Sequence, residues 1–195
     1  QIEVLKAFKK VIQKEGSAAI YVTHDLAVVA QIADHIVVLY GGRVMEQGSA
    51  EQIITAPNHY EVVSNGLKVE ETHLDGDQKL THWKQSVPIA PWLYVLGVAE
   101  FAIQYVDQFD GKSIQTWVFK QDRDAGFYDF AEPTKKALEF YSNYIGPYSY
   151  EKLANIQSNS VSGGMEAASA ILYSDKSVVG DRNERWRNVV IHEIA

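Results

Sequence analysis

AAIYVTHDLAVVAQIADHIVVLY, residues 18–40, is the stretch that decides the fold class. Residues 18–23 (AAIYVT) form a short apolar run that suits a strand buried on both faces, as in a parallel sheet. Residues 26–33 read as a short helix, and residues 35–40 (HIVVLY) as a second strand. Gly41-Gly42 then marks a tight turn into a strand over residues 44–47. Upstream, Ile2, Leu5, Phe8 and Ile12 recur at helical spacing and Gly16 follows as a stop. Downstream, Ser49 with Gln52 three residues later reads as a capping box, predicting a helix to Thr55. Strands alternating with helices over residues 1–56 predict a parallel α/β sheet.

After Pro57 the pattern changes. Residues 61–118 read as β structure: Val62-Val63, a turn at Ser64-Asn65-Gly66, and strands over residues 79–83 and 94–106. A helix is expected over residues 131–145, with Pro133 near its start. Ala137, Leu138, Tyr141, Tyr144 and Ile145 would lie on one face, and Gly146-Pro147 would end it. Residues 152–157 and 170–173 read as strands, and Asp181 with Glu184 predicts a cap for a last helix over residues 182–195. The fold class expected is therefore mixed, an α/β segment followed by α+β. No internal repeat occurs, and residues 57–62 do not have the composition of a linker.

The chain has 195 residues, a formal charge of −7 and 46% apolar residues, the values of a globular protein of one or two domains. A net acidic chain without a Lys/Arg cluster argues against nucleic acid as a partner. The absence of cysteine removes disulfides, thiolate zinc sites and cysteine nucleophiles. The most apolar run, residues 89–99, is too short for a membrane span and contains Pro91 and Gly97. The first residues do not read as a signal peptide, and nothing in the chain indicates a compartment. The start at Gln1 and the stop at Ala195, inside a helical pattern, both read as cuts.

Three strings in the first 59 residues occur in a specific order: Tyr21-Val22-Thr23-His24-Asp25-Leu26, then Ala33 to Leu39 (ADHIVVL), then Gly41-Gly42-Arg43-Val44 with Glu46-Gln47-Gly48. Read locally, His24 caps the turn into the next helix. The set of strings resembles the C-terminal part of the ATPases of oligopeptide- and dipeptide-type ABC importers. That resemblance implies that His24 is the switch histidine on the ATP γ-phosphate, a role suited to an imidazole that can donate to a phosphate oxygen. It also implies membrane subunits as partners of the parent protein, and ATP with Mg²⁺ as cofactor only where the ATPase part is complete. His35, His59, His73 and His82 read as surface or turn residues. No G-x-x-x-x-G-K-[ST] phosphate loop occurs in the chain, nor an ABC signature.

A second set lies further on: Val63-Ser64-Asn65-Gly66, residues 121–126 (QDRDAG), Gly163-Gly164-Met165-Glu166-Ala167, and Trp186 through Ile191-His192-Glu193-Ile194-Ala195. Taken alone, residues 163–166 read as a strand-to-turn connection. Together these strings resemble the aminopeptidase N and leukotriene hydrolase family of zinc aminopeptidases. The resemblance implies a β domain ending near residue 112 and the start of a thermolysin-like catalytic domain from residue 113. It makes Gly163, Gly164, Met165, Glu166 and Ala167 the substrate-binding segment. Glu166 would hold the α-amine of a peptide with a free N-terminus, although Ala167 stands where that family usually has Asn. It makes His192 a zinc ligand and Glu193 the general base on a metal-bound water, with the H-E-x-x-H motif broken off at Ala195 and the zinc site incomplete.

The expectation from the sequence is thus a chimeric fragment. Residues 1–59 would come from an ABC ATPase, residues 60–112 from an aminopeptidase β domain, and residues 113–195 from a truncated catalytic domain. The principal function expected is that of a zinc aminopeptidase fragment, inactive as it stands. The alternatives are a fragment of an ABC transporter ATP-binding subunit for peptide import and a fusion with no function.

Overall fold

The computed structural model describes residues 10–12, 14–20, 22, 36–40, 43–48, 51–87 and 89–195. It divides into two units, one of residues 1–50 with 88–92 and one of residues 51–87 with 93–195. It is a mixed α/β structure with several sheets.

In the first unit, residues 10–12 and Lys14 are helical, and Gly16 sits at φ 62° just beyond them, where a stop is expected. Strands β1 (Ile36–Tyr40) and β2 (Arg43–Gly48) pair antiparallel, with a register shift between Val38 and Leu39. This pairing is the strand, turn and strand expected over residues 35–47, and no parallel pairing occurs among the described residues of this unit. Among the described residues of the strand expected over 18–23, residues 18–20 and Val22 have no strand pairing, and Ile20 and Val22 are exposed. Residues 24–33, which include His24 and the expected short helix, lie outside the described residues.

The second unit opens with a strand, β3 (Glu51–Pro57), where a capped helix was expected. Its partner explains the difference. Every residue of β3 has a cross-strand partner in β6 (Gln78–Lys84), from Glu51 opposite Lys84 to Pro57 opposite Gln78. A complete antiparallel ladder outweighs a capping preference worth about 1 kcal/mol. Strand β5 (Leu67–Leu74) completes this sheet on the other edge of β6. The sequence reading missed β5 because all eight of its residues are exposed and its apolar alternation stops after Leu67 and Val69. Strands β4 (Glu61–Ser64) and β7 (Leu96–Ala99) form a separate antiparallel pair.

A five-stranded sheet makes up the rest, in the order β11-β12-β10-β9-β8. Its strands are β8 (Phe101–Phe109), β9 (Lys112–Phe119), β10 (Lys152–Ser158), β11 (Gly164–Met165) and β12 (Ala170–Ser174). The single strand expected over residues 94–106 is in fact β7 and β8, which break at Glu100 and join different sheets. β10 lies between β9 and β12, parallel to both. Its first six residues are buried, as expected of a strand covered on both faces.

The two faces of this sheet have separate cores. Trp83, Phe101, Trp117, Ala154 and Ile156 pack on one side with Val62 and Val63. Trp117 meets Trp83 and Phe101 edge to face. Ile114, Val118, Leu153, Ile171 and Tyr173 pack on the other side against the helices. Helix α1 (Arg123–Tyr144) starts eight residues before the expected position, after a 3₁₀ turn at Lys120–Asp122, so Pro133 lies inside it. Its last expected face residues, Tyr144 and Ile145, are exposed, while Ala137 and Leu138 are buried. Helix α2 (Glu184–Ile194) is capped by Asn183, whose side chain accepts from the Arg185 N–H. Asp181, the expected cap, instead accepts from the Asn183 N–H. No helix among the described residues is long and apolar enough to cross a membrane.

Candidate functional site

The loop after β11 and the last turn of α2 meet at a cavity of about 290 Å³. Leu138, Tyr141, Tyr148 and Ile171 give it apolar and aromatic walls, and Glu166 and Glu193 bring two carboxyl groups to it. Glu193 is half-buried and Glu166 exposed. Burial raises the Glu193 carboxyl above the ordinary carboxylate range, and the neighbouring Glu166 charge and a hydrogen bond to Glu166 add to this. The His192 beside it acts weakly in the other direction.

The glycines expected to approach a peptide do something else. A methyl group on Gly164 would collide with the side chain of Glu193, so Gly164 makes room for that carboxyl. Gly163 faces open space. Of the residues expected at a site, Glu166, Ala167 and Glu193 line the cavity, whereas Gly163, Gly164, Met165 and His192 do not.

Sequence reasoning missed Tyr148 and Tyr173. Burial pushes the Tyr148 hydroxyl well above the ordinary range, with the nearby Tyr150 and Glu151 adding to it. Tyr173 is wholly buried, its hydroxyl has no hydrogen-bond partner among the described residues, and burial followed by the Glu193 charge raises it as well. The tyrosines around Gly146-Pro147 (Tyr141, Tyr144, Tyr148 and Tyr150) were the available signal, but aromatic residues at such spacing more often report a core.

The donor set does not fit zinc. His192 is exposed, and among the described residues no three His, Asp or Glu side chains gather where one ion could bind them. A zinc site held by protein needs at least three such ligands.

Comparison with known proteins points elsewhere. The chain is similar to the glutathione import ATP-binding protein GsiA of Escherichia coli O1:K1 / APEC, 50% identical over 60 residues. That is 30% of this chain and 10% of the relative. GsiA of Salmonella typhimurium is 44% identical over 59 residues, again 30% and 10%. The oligopeptide transport ATP-binding protein OppD of Haemophilus influenzae is 34% identical over 102 residues, 47% of this chain and 31% of the relative. No family model matches the chain. The chain thus spans between a tenth and a third of these relatives' length.

These relatives are ATP-binding proteins of glutathione import and oligopeptide transport, and this corrects the principal expectation. The zinc aminopeptidase reading is contradicted, because the relatives are ATP-binding proteins. A thermolysin-like domain and a fusion of two families likewise find no support among them.

Proposed function

We propose that the chain carries the switch segment of an ATP-binding subunit of an ABC importer for small peptides, working with membrane subunits. The observation that carries this reading is the 44–50% identity over about 60 residues to glutathione import ATP-binding proteins. The ordered strings around Thr23-His24-Asp25, Asp34-His35-Ile36 and Gly41-Gly42-Arg43 agree with it. On this reading His24 donates to the γ-phosphate of ATP and stabilises charge as the phosphoryl group departs. The chain itself does not fit a whole nucleotide, because it has no G-x-x-x-x-G-K-[ST] loop to supply a nest of N–H groups and a lysine. Its contribution is the switch element, and no saturable ATP binding is expected of it in isolation.

The test is a graft. Residues 1–48 replace the matching stretch of the Haemophilus influenzae OppD subunit, and ATP hydrolysis is measured with and without His24→Ala. The intact graft should hydrolyse ATP. The alanine variant should lose about 10²- to 10³-fold, the loss typical of removing one donor to developing negative charge. Equal turnover in the two grafts would reject the assignment of His24.

A second reading concerns only the cavity. Glu166 and Glu193, two carboxyl groups in contact beside aromatic walls, form a receptor for an ammonium group such as the free N-terminus of a short peptide. Calorimetry of the chain with a dipeptide amide and its N-acetylated form tests it. The free amine should bind at least about tenfold more tightly, as one charge-assisted hydrogen bond is worth about 1.5–3 kcal/mol, and Glu166→Gln should remove the difference. Equal binding of the two peptides would end this reading.

A further inference from the structure

Lys152 opens β10, whose first six residues are all buried, and its side chain is wholly buried. Its Nζ donates to the Ser64 carbonyl at 2.6 Å and lies 3.5 Å from the Ser169 hydroxyl. It also stands 5.1 Å from the centre of the Trp83 ring. No carboxylate forms an ion pair with it among the described residues. The charged group that faces it is Glu151, its chain neighbour, whose own carboxylate accepts from the Ser86 backbone N–H at 2.7 Å. The other elements around it present uncharged partners: the Ser64 carbonyl from β4, the Ser169 hydroxyl from the loop before β12, and the Trp83 ring from β6.

These partners belong to one network. The turn after β4 reaches the loop before β12, more than a hundred residues away in sequence. Asn65 Nδ2 donates to the Ala168 carbonyl at 2.5 Å and the Gly66 N–H to Ser169 Oγ at 2.8 Å. Ser169 Oγ in turn donates to Gln85 Oε1 at 3.2 Å. Ser169 holds a left-handed backbone, φ 64°, a conformation that a non-glycine residue keeps only when its surroundings hold it there. Ala167 and Ala168, in the same loop, line the cavity.

We propose that Lys152 is a proton-operated latch: as a neutral amine it pins the turn at Ser64–Gly66 to the loop at Ala167–Ser169, and proton uptake loosens that joint and the cavity wall it supports. The physical basis is the cost of a buried ammonium without a counter-charge. A carbonyl and a ring face offset part of it, and neither replaces a hydration shell. Burial brings the Lys152 amine down to about 7, against the weaker opposing effect of Glu151. The unfolded chain keeps the ordinary value near 10.4. The folded amine therefore releases its proton where the unfolded one still holds it. Stability from this group is full above the unfolded value and is lost as pH falls towards 7. Below that, both states carry the proton and the dependence ends.

Two measurements on the full chain test this. In the first, Lys152→Met is compared with the native chain in urea unfolding at pH 7 to 9. The native folding constant should rise by up to about tenfold per pH unit relative to the variant. Exchange protection of the Gly66 N–H, corrected for intrinsic rate, should rise with it in the native chain only. Parallel pH profiles for the two proteins would overturn the proposal, as would Gly66 protection that ignores pH. The second needs no variant. Carbon NMR of the lysine ε positions in the native fold should show one lysine titrating near 7. If every lysine titrates near 10, the proposal fails even where Lys152→Met does not fold.

Discussion

Asp129→Ala is expected to unfold a corner of the protein far from the cavity carboxylates. Asp129 lies on α1 and is 7% exposed. Its Oδ2 accepts from the N–H groups of Val179 and Gly180 at 2.8 and 2.7 Å, and its Oδ1 from the Arg182 N–H at 2.8 Å. One carboxylate thus organises the whole approach to α2, in which Gly180 and Arg182 both take left-handed backbones at φ 81° and 51°. Hydrogen bonds to a charged acceptor are worth about 1.5–3 kcal/mol each. The segment is near the surface, with Val179 half-exposed, so water recovers part of that on substitution. The expected loss is about 3–5 kcal/mol for Ala. For Asn, which keeps one acceptor but turns an N–H₂ towards the remaining donors, about 2–4 kcal/mol is expected. Urea unfolding followed by the fluorescence of buried Trp83 and Trp117 gives the number. Amide exchange at Val179, Gly180 and Arg182 should accelerate in both variants. An Ala variant within 0.5 kcal/mol of the native chain, roughly the scatter of neutral surface changes, would refute this account of the corner.

Two further substitutions read the packing of glycines. Gly126→Ala, inside α1, would gain about 1 kcal/mol on helix propensity alone. Here its methyl group would stand 2.5 Å from Val118 Cγ1, so a net loss of about 1–3 kcal/mol in thermal or urea unfolding is expected instead. Gly164→Ala should push the Glu193 carboxyl away from Glu166 and into water, returning it towards the ordinary range in a carboxyl NMR titration. In the native fold Glu193 keeps its proton to higher pH than in the unfolded chain. Its contribution to stability therefore falls as pH rises from the ordinary carboxylate value through the raised one, and the Gly164→Ala variant should lack that fall.

The strands of the large sheet were legible in the sequence where burial was two-sided. Residues 152–157 and 170–173 agree closely with β10 and β12, because runs such as Leu153 to Ile156 have no exposed face to blur them. The pairing of β1 with β2 was legible because two strand-like runs flank Gly41-Gly42 in the sequence. β3 was misread because Ser49 and Gln52 satisfy a helix cap while β6, which determines the outcome, lies some 30 residues away. The start of α1 was missed because its first turns, Arg123 to Tyr128, are mostly exposed or polar, and Pro133 offered a more obvious beginning. At the cavity, Glu166 and Glu193 were found as acids of interest, but their contact with each other was not expected. Spacing along a chain does not show that α2 returns over β11. Lys152 gave no signal, since a lysine at a strand start usually reaches water.

The parallel seat of β10 has a consequence for how the chain reaches its native state. β8 and β9 are joined by a tight turn at Asp110-Gly111 and can zip within microseconds. β10 cannot join β9 until α1 has crossed over, and β12 cannot join β10 until a further loop closes. Contacts of such long sequence separation form slowly, because loop entropy is lost before any pairing returns it. During that interval the inner edge of β9, with Ile114 and Trp117, is open to another chain. Dilution and rapid closure of α1 should therefore govern the yield of refolding more than final stability does. The arrival of β10 is also the moment at which Lys152 gives up its hydration, so recovery should be fastest in mildly alkaline buffer.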